Sequence, residues 1–593
     1  MGANASVAER NNLDTIPTLI QFWSQTLPDK ELFVFYKGDR REAFTCRQVF
    51  QLAARFSGRL RNQYGFQKGD IIMNSLPNSP ERVFTDIGIA LAGCVSLNGS
   101  TMFSDGSDYL PAAHNSGLLA VIACPHDNNP AWRILKQYIQ GDASSATAVL
   151  ACDKAPLMRT AILVSRQPTG RRGHFLQELR ESTEELFVEA AVQPDDMVNV
   201  MTTSGSTGYC KLVPKTHREL IDAGLDTYGQ IDKQSRQQWQ HNILYNDRPI
   251  GWMGGFPFGT YVCADTRVLL DVFDSQGSKV GADTWAIICR EKVDYAIILP
   301  LDLDYLLKHT SFDGAADYKM KLICCGGQPI RKVGAITESP STVVFVYQMK
   351  LICCGGQPIR KDQFYSYTAV AREVAAVYGC TEVSYMSLGI IDENNVKDYF
   401  CGQVRPGLEV RVVDDNNKDC PPGTVGTIHL KGRGVFKGYL NRVENPDPKT
   451  LIVFTKDGYL NMDDSGYFDE DRTLYVLGRL KDVITIGASF VYPGWLEPKI
   501  AQHPAVTEAC VVPVSDPVLF QNICAIVKLV PGGQLSEEEL RAFCQRIFLL
   551  DEDVEGSCVP KFYLILQDFP ETATGKVDRK RLQKLAEDKF GSR

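Results

Sequence analysis

The sequence predicts an α/β protein with a large N-terminal part of several subdomains and a small α+β C-terminal part. Three observations point there. The chain has 593 residues, more than a single hydrophobic core organises. Its first two hundred residues alternate amphipathic stretches with short apolar runs, the pattern of helices layered on largely parallel sheets. Beyond Arg479 the order changes to strand, strand, helix, strand and a basic final helix.

Val49 to Tyr64 carries Val49, Leu52, Ala53, Phe56, Leu60 and Tyr64 at helical spacing. Asp70–Asn74 and Leu119–Ala123 read as buried strands. Ile87–Leu97 is too short to span a bilayer and rich in Gly and Ala, so it reads as a buried helix or strand. From Gly402 to Gly438, Glu409–Val413 and Thr427–Lys431 alternate apolar and polar residues between Asp, Asn, Pro and Gly, which predicts a small antiparallel region. The C-terminal part reads as strands Ala509–Val514, Ile523–Leu529 and Phe562–Leu566 around a helix over Ser536–Ile547. A boundary near Arg479-Leu480-Lys481 divides the chain into a tail (1–14), a large unit (15–479) and a small one (480–593).

Composition narrows the function. With 44% apolar and 23% charged residues the chain is ordinary for a globular protein. A net charge of -8 gives nucleic-acid binding no electrostatic support. Its 18 cysteines include no Cys-x-x-Cys pair, so zinc spacing is absent and reduced, mostly buried thiols are expected. The N-terminus lacks an apolar signal-peptide core, which points to the cytoplasm. Met1-Gly2-Ala3-Asn4-Ala5-Ser6 fits the N-myristoylation pattern at Gly2. One such chain, with only Arg10 as a nearby basic residue, implies at most weak peripheral membrane association.

Met320–Lys332, MKLICCGGQPIRK, recurs without change as Met349–Lys361. Two copies do not make a solenoid. The stretch 320–348 therefore reads as a recent duplication or a gene-model error, an insertion in a surface loop whose removal leaves the fold intact.

The strongest chemical signal is Thr203-Ser204-Gly205-Ser206-Thr207-Gly208-Tyr209-Cys210-Lys211, which follows the apolar run Val198-Asn199-Val200-Met201. A strand leads into a loop of hydroxyls, glycines and one cation. Glycine lets the backbone approach a polyphosphate, and N–H and O–H groups donate to its oxygens. Neither the P-loop string G-x-x-x-x-G-K-[ST] nor the hydrolase elbow G-x-S-x-G occurs.

This loop closely resembles the phosphate-binding signature of the adenylate-forming superfamily, which includes acyl-CoA synthetases. Lys215-Thr216-His217 fits the same pattern, whereas Cys210 stands where relatives usually have proline. Further matches follow in order. Gly254-Gly255-Phe256-Pro257-Phe258-Gly259 resembles the aromatic segment beside the acyl pocket, and Gly355-Gly356-Gln357-Pro358 the turn that meets adenine. Tyr378-Gly379-Cys380-Thr381-Glu382 resembles Y-G-x-T-E. Asp457-Gly458-Tyr459-Leu460-Asn461-Met462-Asp463-Asp464 resembles D-G-W-x-x-T-G-D, with Met462-Asp463 replacing Thr-Gly. Gly478-Arg479-Leu480-Lys481-Asp482 resembles G-R-x-K-D, and Pro570–Arg579 resembles P-x-T-x-T-G-K-x-x-R. The resemblance spans about residues 15 to 588.

The resemblance implies an adenylation domain with a mobile C-terminal domain. It implies ATP, Mg²⁺ and coenzyme A as ligands, a small carboxylic acid as substrate, and an AMP-forming acid–thiol ligase as the activity. It assigns Thr203, Ser204, Gly205, Ser206, Thr207, Gly208 and Lys211 to the phosphates, with Thr207 also catalytic. Gly355, Gly356, Gln357, Tyr378 and Gly379 go to the adenine side and Thr381 to the α-phosphate. Glu382 is the Mg²⁺ ligand, Asp464 the ribose acceptor, Arg479 a nucleotide contact, Lys481 the hinge and Lys576 the catalytic lysine. Fatty acids are the default substrate. A separate carrier protein as thiol, a catalytically impaired binding homologue and a luciferase-like oxidation are the alternatives.

Overall fold

A computed structural model describes residues 13–99, 108–127, 129–170, 172–203, 211–231, 242–273, 282–298, 322–326, 349–355, 371–391, 397, 399–442, 454–486, 489–517, 519–549, 558–571 and 577–591. Among them the strands form three sheets of 14, 8 and 5 strands.

The 8-stranded sheet runs Lys211–Thr216, Met197–Thr203, Val95–Asn98, Ile71–Asn74, Ala120–Ala123, Thr160–Leu163, Thr147–Leu150, Ile139–Gln140. The five strands from Met197–Thr203 to Thr160–Leu163 are parallel. Their apolar runs are buried on both faces, as parallel strands require. Ile87–Leu97 divides between helix Pro80–Leu91 and strand Val95–Asn98. Helix Cys46–Gly58 packs against Pro80–Leu91 at Gly88, where a Cβ would lie 2.8 Å from the Ala53 carbonyl oxygen and from the Phe56 ring. The Val49–Tyr64 periodicity is not one α-helix: the α-helix ends at Gly58 and a π-helical turn, Arg59–Gln63, follows.

The 14-stranded sheet is parallel from Ala371–Tyr378 through Met349–Gly355, Leu322–Gly326, Tyr295–Ile298, Ile243–Asn246 and Thr266–Leu270 to Glu31–Lys37. Antiparallel strands continue it at both ends. The antiparallel region read from Gly402 to Gly438 is larger than the sequence pattern suggested. Leu408–Val413 pairs with Gly426–Gly432, then Leu460–Phe468 and Leu474–Arg479 carry it on.

The duplicated segment is not an insertion in a surface loop. Its first copy supplies strand Leu322–Gly326, lying between Tyr295–Ile298 and the second copy's Met349–Gly355. Identical residues pair in register, Leu322 with Leu351 through Gly326 with Gly355. A β-prone apolar run finds its backbone partners in a sheet rather than in solvent. Removing 320–348 or 333–361 leaves one and the same sequence, so the surviving copy inherits both neighbouring strands. The shortened protein is expected to unfold cooperatively at a melting temperature no lower than that of the full chain. A lower melting temperature would show that the extra strand stabilises the sheet.

The strand Leu474–Arg479 ends at a 3₁₀ turn, Leu480–Asp482, and Ile484–Ile486 opens the third sheet. That sheet orders Ser489–Val491, Ile484–Ile486, Phe520–Leu529 and Val506–Asp516, and Phe562–Leu566 pairs parallel to Phe520–Leu529. Helices Glu537–Leu549 and Arg579–Phe590 complete this unit. Arg579 forms a two-pronged pair with Glu497, at 2.5 and 2.6 Å. Among the described residues, Cys46, Cys94, Cys401, Cys510, Cys524 and Cys544 are buried free thiols. No described helix is long and apolar enough to cross a membrane.

Helix Ile16–Thr26 is capped by Thr15 and docks through His217, whose Nδ1 accepts the Ile16 N–H at 3.1 Å. Burial pushes the His217 imidazole down to about 4, with Asp196 opposing and Lys68 reinforcing. The unfolded chain therefore binds this proton more readily than the folded one. Stability from this site is complete above pH ~6.5 and is lost as pH falls toward ~4, by up to about 3 kcal/mol. Melting curves between those limits should flatten in His217→Asn, and an unchanged slope would contradict the assignment.

Candidate active site

Thr203 and Lys211 stand opposite each other at the loop end of the hairpin Met197–Thr203/Lys211–Thr216. The connection between them thus leaves and rejoins the sheet at paired positions. Ser204, Gly205, Ser206, Thr207 and Gly208 lie outside the described residues, as do Gly356, Gln357 and Lys576. Gly355 ends its strand beside Ala371–Tyr378.

Strand Ala371–Tyr378 delivers Tyr378 to a tight turn. The turn is closed by Ser384 N–H donating to the Cys380 carbonyl at 2.7 Å and Met386 N–H to the Tyr378 carbonyl at 2.7 Å. Gly379 is required here: a Cβ would lie 2.3 Å from the Ser384 carbonyl oxygen. Half-buried Thr381 and Glu382 occupy the turn.

Glu382 is held at both ends. Its carbonyl accepts Phe436 N–H at 3.0 Å and the Lys215 ammonium at 3.2 Å, and its carboxylate accepts the Tyr439 hydroxyl at 2.7 Å. Lys215 is fully buried. Burial pulls its ammonium below the ordinary lysine value, against the raising effect of the Glu219 and Glu382 carboxylates. Burial and Glu382 push the Cys380 thiol well up, so it stays protonated.

Asp464 and Arg479 face each other across neighbouring antiparallel strands, and their side chains pair at 2.9 Å. The Tyr378 hydroxyl donates to the other Asp464 oxygen. Burial pushes the Asp464 carboxyl up, with Arg479 and the Tyr378 hydrogen bond opposing. Arg479 also donates to the Met462 carbonyl at 2.9 Å and lies in the field of the Asp464 and Glu382 carboxylates. Asp463 takes φ +54° and is exposed, whereas Asp464 is 5% exposed. The second carboxylate in the motif therefore sits outside this cluster.

Lys481 follows at the turn between the units. Partial burial lowers its ammonium, with Asp482 opposing and Arg479, Lys580 and Lys211 reinforcing. Cations from the hairpin, the junction and the final helix thus share one field, a setting that favours a polyanion.

The aromatic segment is fixed from below. Arg267, fully buried, donates to the carbonyls of Gly255, Asn246 and Arg248, and the Asn246 amide donates to the Gly254 carbonyl at 3.0 Å. Gly255 has no room for a side chain, since a Cβ would meet the Pro249 carbonyl oxygen at 2.0 Å. Phe256 packs on Phe258 and Tyr261.

Sequence reasoning missed Tyr439. Nothing periodic marks it; its one signal is the Gly438-Tyr439 pair after strand Gly426–Gly432.

For the Mg²⁺ that the motifs imply, the donor chemistry fits. Glu382 offers carboxylate oxygens, only one of which is engaged by Tyr439. Mg²⁺ is commonly held by one or two carboxylates together with substrate phosphates.

Comparison with known proteins agrees with this geometry. The AMP-binding enzyme family model matches residues 20–440, and the AMP-binding enzyme C-terminal domain model matches 496–576. The chain is 26% identical over 555 residues to 4-coumarate–CoA ligase 1 of Petroselinum crispum, covering 92% of this chain and 90% of the relative. It is 27% identical over 559 residues to 4-coumarate–CoA ligase 2 of Nicotiana tabacum, covering 93% and 91%. ATP-bound MatB from Rhodopseudomonas palustris superposes with a TM-score of 0.72 at 20% identity, covering 97% of this chain and 100% of that one. The o-succinylbenzoate coenzyme A synthetase MenE of Bacillus subtilis, in complex with ATP and magnesium ion, gives 0.69 at 20% identity, covering 95% and 99%. A family model that spans most of the chain, on a fold that gathers Tyr378, Glu382, Asp464 and Arg479 from distant segments, places this protein in the AMP-binding enzyme family, the adenylate-forming superfamily.

Proposed function

We propose that the protein is an AMP-forming acid–thiol ligase that joins a carboxylic acid to coenzyme A through an acyl-adenylate. The observation that carries the reading is the buried Asp464, opposite Arg479 and bonded to Tyr378, within the field of Glu382.

A carboxylate is a poor electrophile. Its oxygen attacks the α-phosphorus of ATP, the bond to the β-phosphate oxygen breaks, and pyrophosphate leaves. The thiol sulfur then attacks the acyl carbonyl carbon, and AMP departs with the carboxyl oxygen. Positioning and charge stabilisation supply most of the catalysis.

Asp464 accepts the ribose hydroxyls, which suits a carboxylate with about four lone-pair positions, two of them already used by Arg479 and Tyr378. Gly355, Gly356, Gln357, Tyr378 and Gly379 form the adenine side. Thr203, the loop Ser204–Gly208 with Thr207, Lys211 and Thr381 donate to the phosphates. Glu382 holds Mg²⁺, whose chemistry here is to offset phosphate charge. Lys576 meets the charge that builds between carboxylate and α-phosphate. The C-terminal unit turns about Lys481 between the two half-reactions.

Trp252, Phe256 and Phe258 support an acid with an apolar body. Fatty acids remain the default, and aromatic acids enter through the coumarate relatives. A screen of fatty, aromatic and dicarboxylic acids, with coenzyme A as the only thiol, tests this by thioester formation. Pyrophosphate release without thioester would point to a carrier-protein thiol instead. No acid-dependent turnover of ATP with any acid would remove the ligase reading.

A further inference from the structure

We propose that Tyr439 is a positioning residue that couples the exit of the phosphate loop to Glu382, its hydroxyl orienting the carboxylate and its ring face seating the Lys211 ammonium. The inference rests on the nucleotide-site reading above and adds a residue to it.

Tyr439 lies in a segment that bridges the two walls of the site. Upstream, the Phe436 N–H donates to the Glu382 carbonyl at 3.0 Å. Downstream, the Leu440 N–H donates to the Leu212 carbonyl at 2.8 Å, one residue past Lys211. Phe436 packs edge-on against the Tyr439 ring at 4.9 Å between centroids and fixes its plane.

From that plane the two ends of the side chain do different work. The hydroxyl donates to Glu382 Oε1 at 2.7 Å. The Lys211 ammonium sits 4.9 Å from the ring centroid, within cation–π range. Tyrosine is the residue that joins a polar tip to an aromatic face. Phenylalanine keeps only the face, and glutamine keeps only a donor.

The two functions separate in binding measurements that involve no turnover. The probes are Mn²⁺, followed by electron paramagnetic resonance, and α,β-methylene-ATP, whose affinity is measured with and without metal. Tyr439→Phe should weaken Mn²⁺ binding to the nucleotide complex about tenfold, the scale of a hydrogen bond to a charged group, and leave metal-free nucleotide affinity within twofold. Tyr439→Gln should show the opposite pattern, with Mn²⁺ affinity largely retained and metal-free nucleotide binding weakened several-fold. Parallel losses in both variants, or none in either, would overturn the proposal, since a merely structural tyrosine would not split the two affinities. Failure of the unmutated protein to bind the nucleotide would instead remove the underlying site reading.

Discussion

Replacing Lys576 with alanine is expected to abolish most acid-dependent pyrophosphate formation while leaving conversion of supplied acyl-adenylate to thioester nearly intact. Lys576 belongs to the small C-terminal unit, far in sequence from the phosphate loop at Gly205. In the proposed cycle it meets substrate only while the adenylate forms, when negative charge is shared between carboxylate and α-phosphate. Loss of one positioned donor in a closed site commonly costs roughly two to three powers of ten in rate. The thiol step does not feel the change, because the lysine has moved away with its domain. Two single-turnover assays separate the cases, one from ATP and free acid, the other from synthetic acyl-AMP and coenzyme A. Equal losses in both would contradict the two-conformation cycle.

The second large effect is at Asp464. Asp464→Ala should raise the KM for ATP by about a hundredfold, the scale of two hydrogen bonds to a charged acceptor. It should leave the KM for the acid nearly unchanged. The loss of stability should be modest. Arg479 keeps its bond to the Met462 carbonyl, and with 47% of its side chain exposed it can be rehydrated. Asp463→Ala should do little to the KM. Asp463→Asn is the cleaner control, because Asp463 holds a left-handed backbone that asparagine tolerates and alanine does not. Equal effects at the two positions would show that the ribose contact is misassigned.

Legibility in the sequence followed the range of the interaction that makes each feature. Strand Phe562–Leu566 was readable to its ends, and the helix read over Ser536–Ile547 lies over Glu537–Leu549, because both patterns are local. The repeat was plain as a string but not as a strand. An apolar run of five residues carries no information about which neighbours hydrogen-bond it. The antiparallel region was under-read for a similar reason, since Leu460–Phe468 joins it across a long connection.

At the site, motif resemblance supplied the residues but not their arrangement. Tyr378 and Asp464 are 86 positions apart, and Tyr439 and Glu382 are 57 apart. The motif alignment pointed to Asp464, and its burial beside exposed Asp463 is a property of the strand. Along strand Leu460–Phe468 the alternation of faces buries Met462 and Asp464 and leaves Asp463, at a left-handed backbone position, exposed. Lys215 read as part of a matching string. Its complete burial, with the ammonium on the Glu382 carbonyl, belongs to tertiary packing.

The central claim is that an acyl-adenylate forms before any thiol takes part. Exchange of labelled pyrophosphate into ATP, measured without coenzyme A or any other thiol, tests it directly. Exchange is expected to depend on an added carboxylic acid and to disappear when Mg²⁺ is chelated. Exchange that requires the thiol, or cleavage of ATP to ADP and phosphate in place of AMP and pyrophosphate, would contradict it.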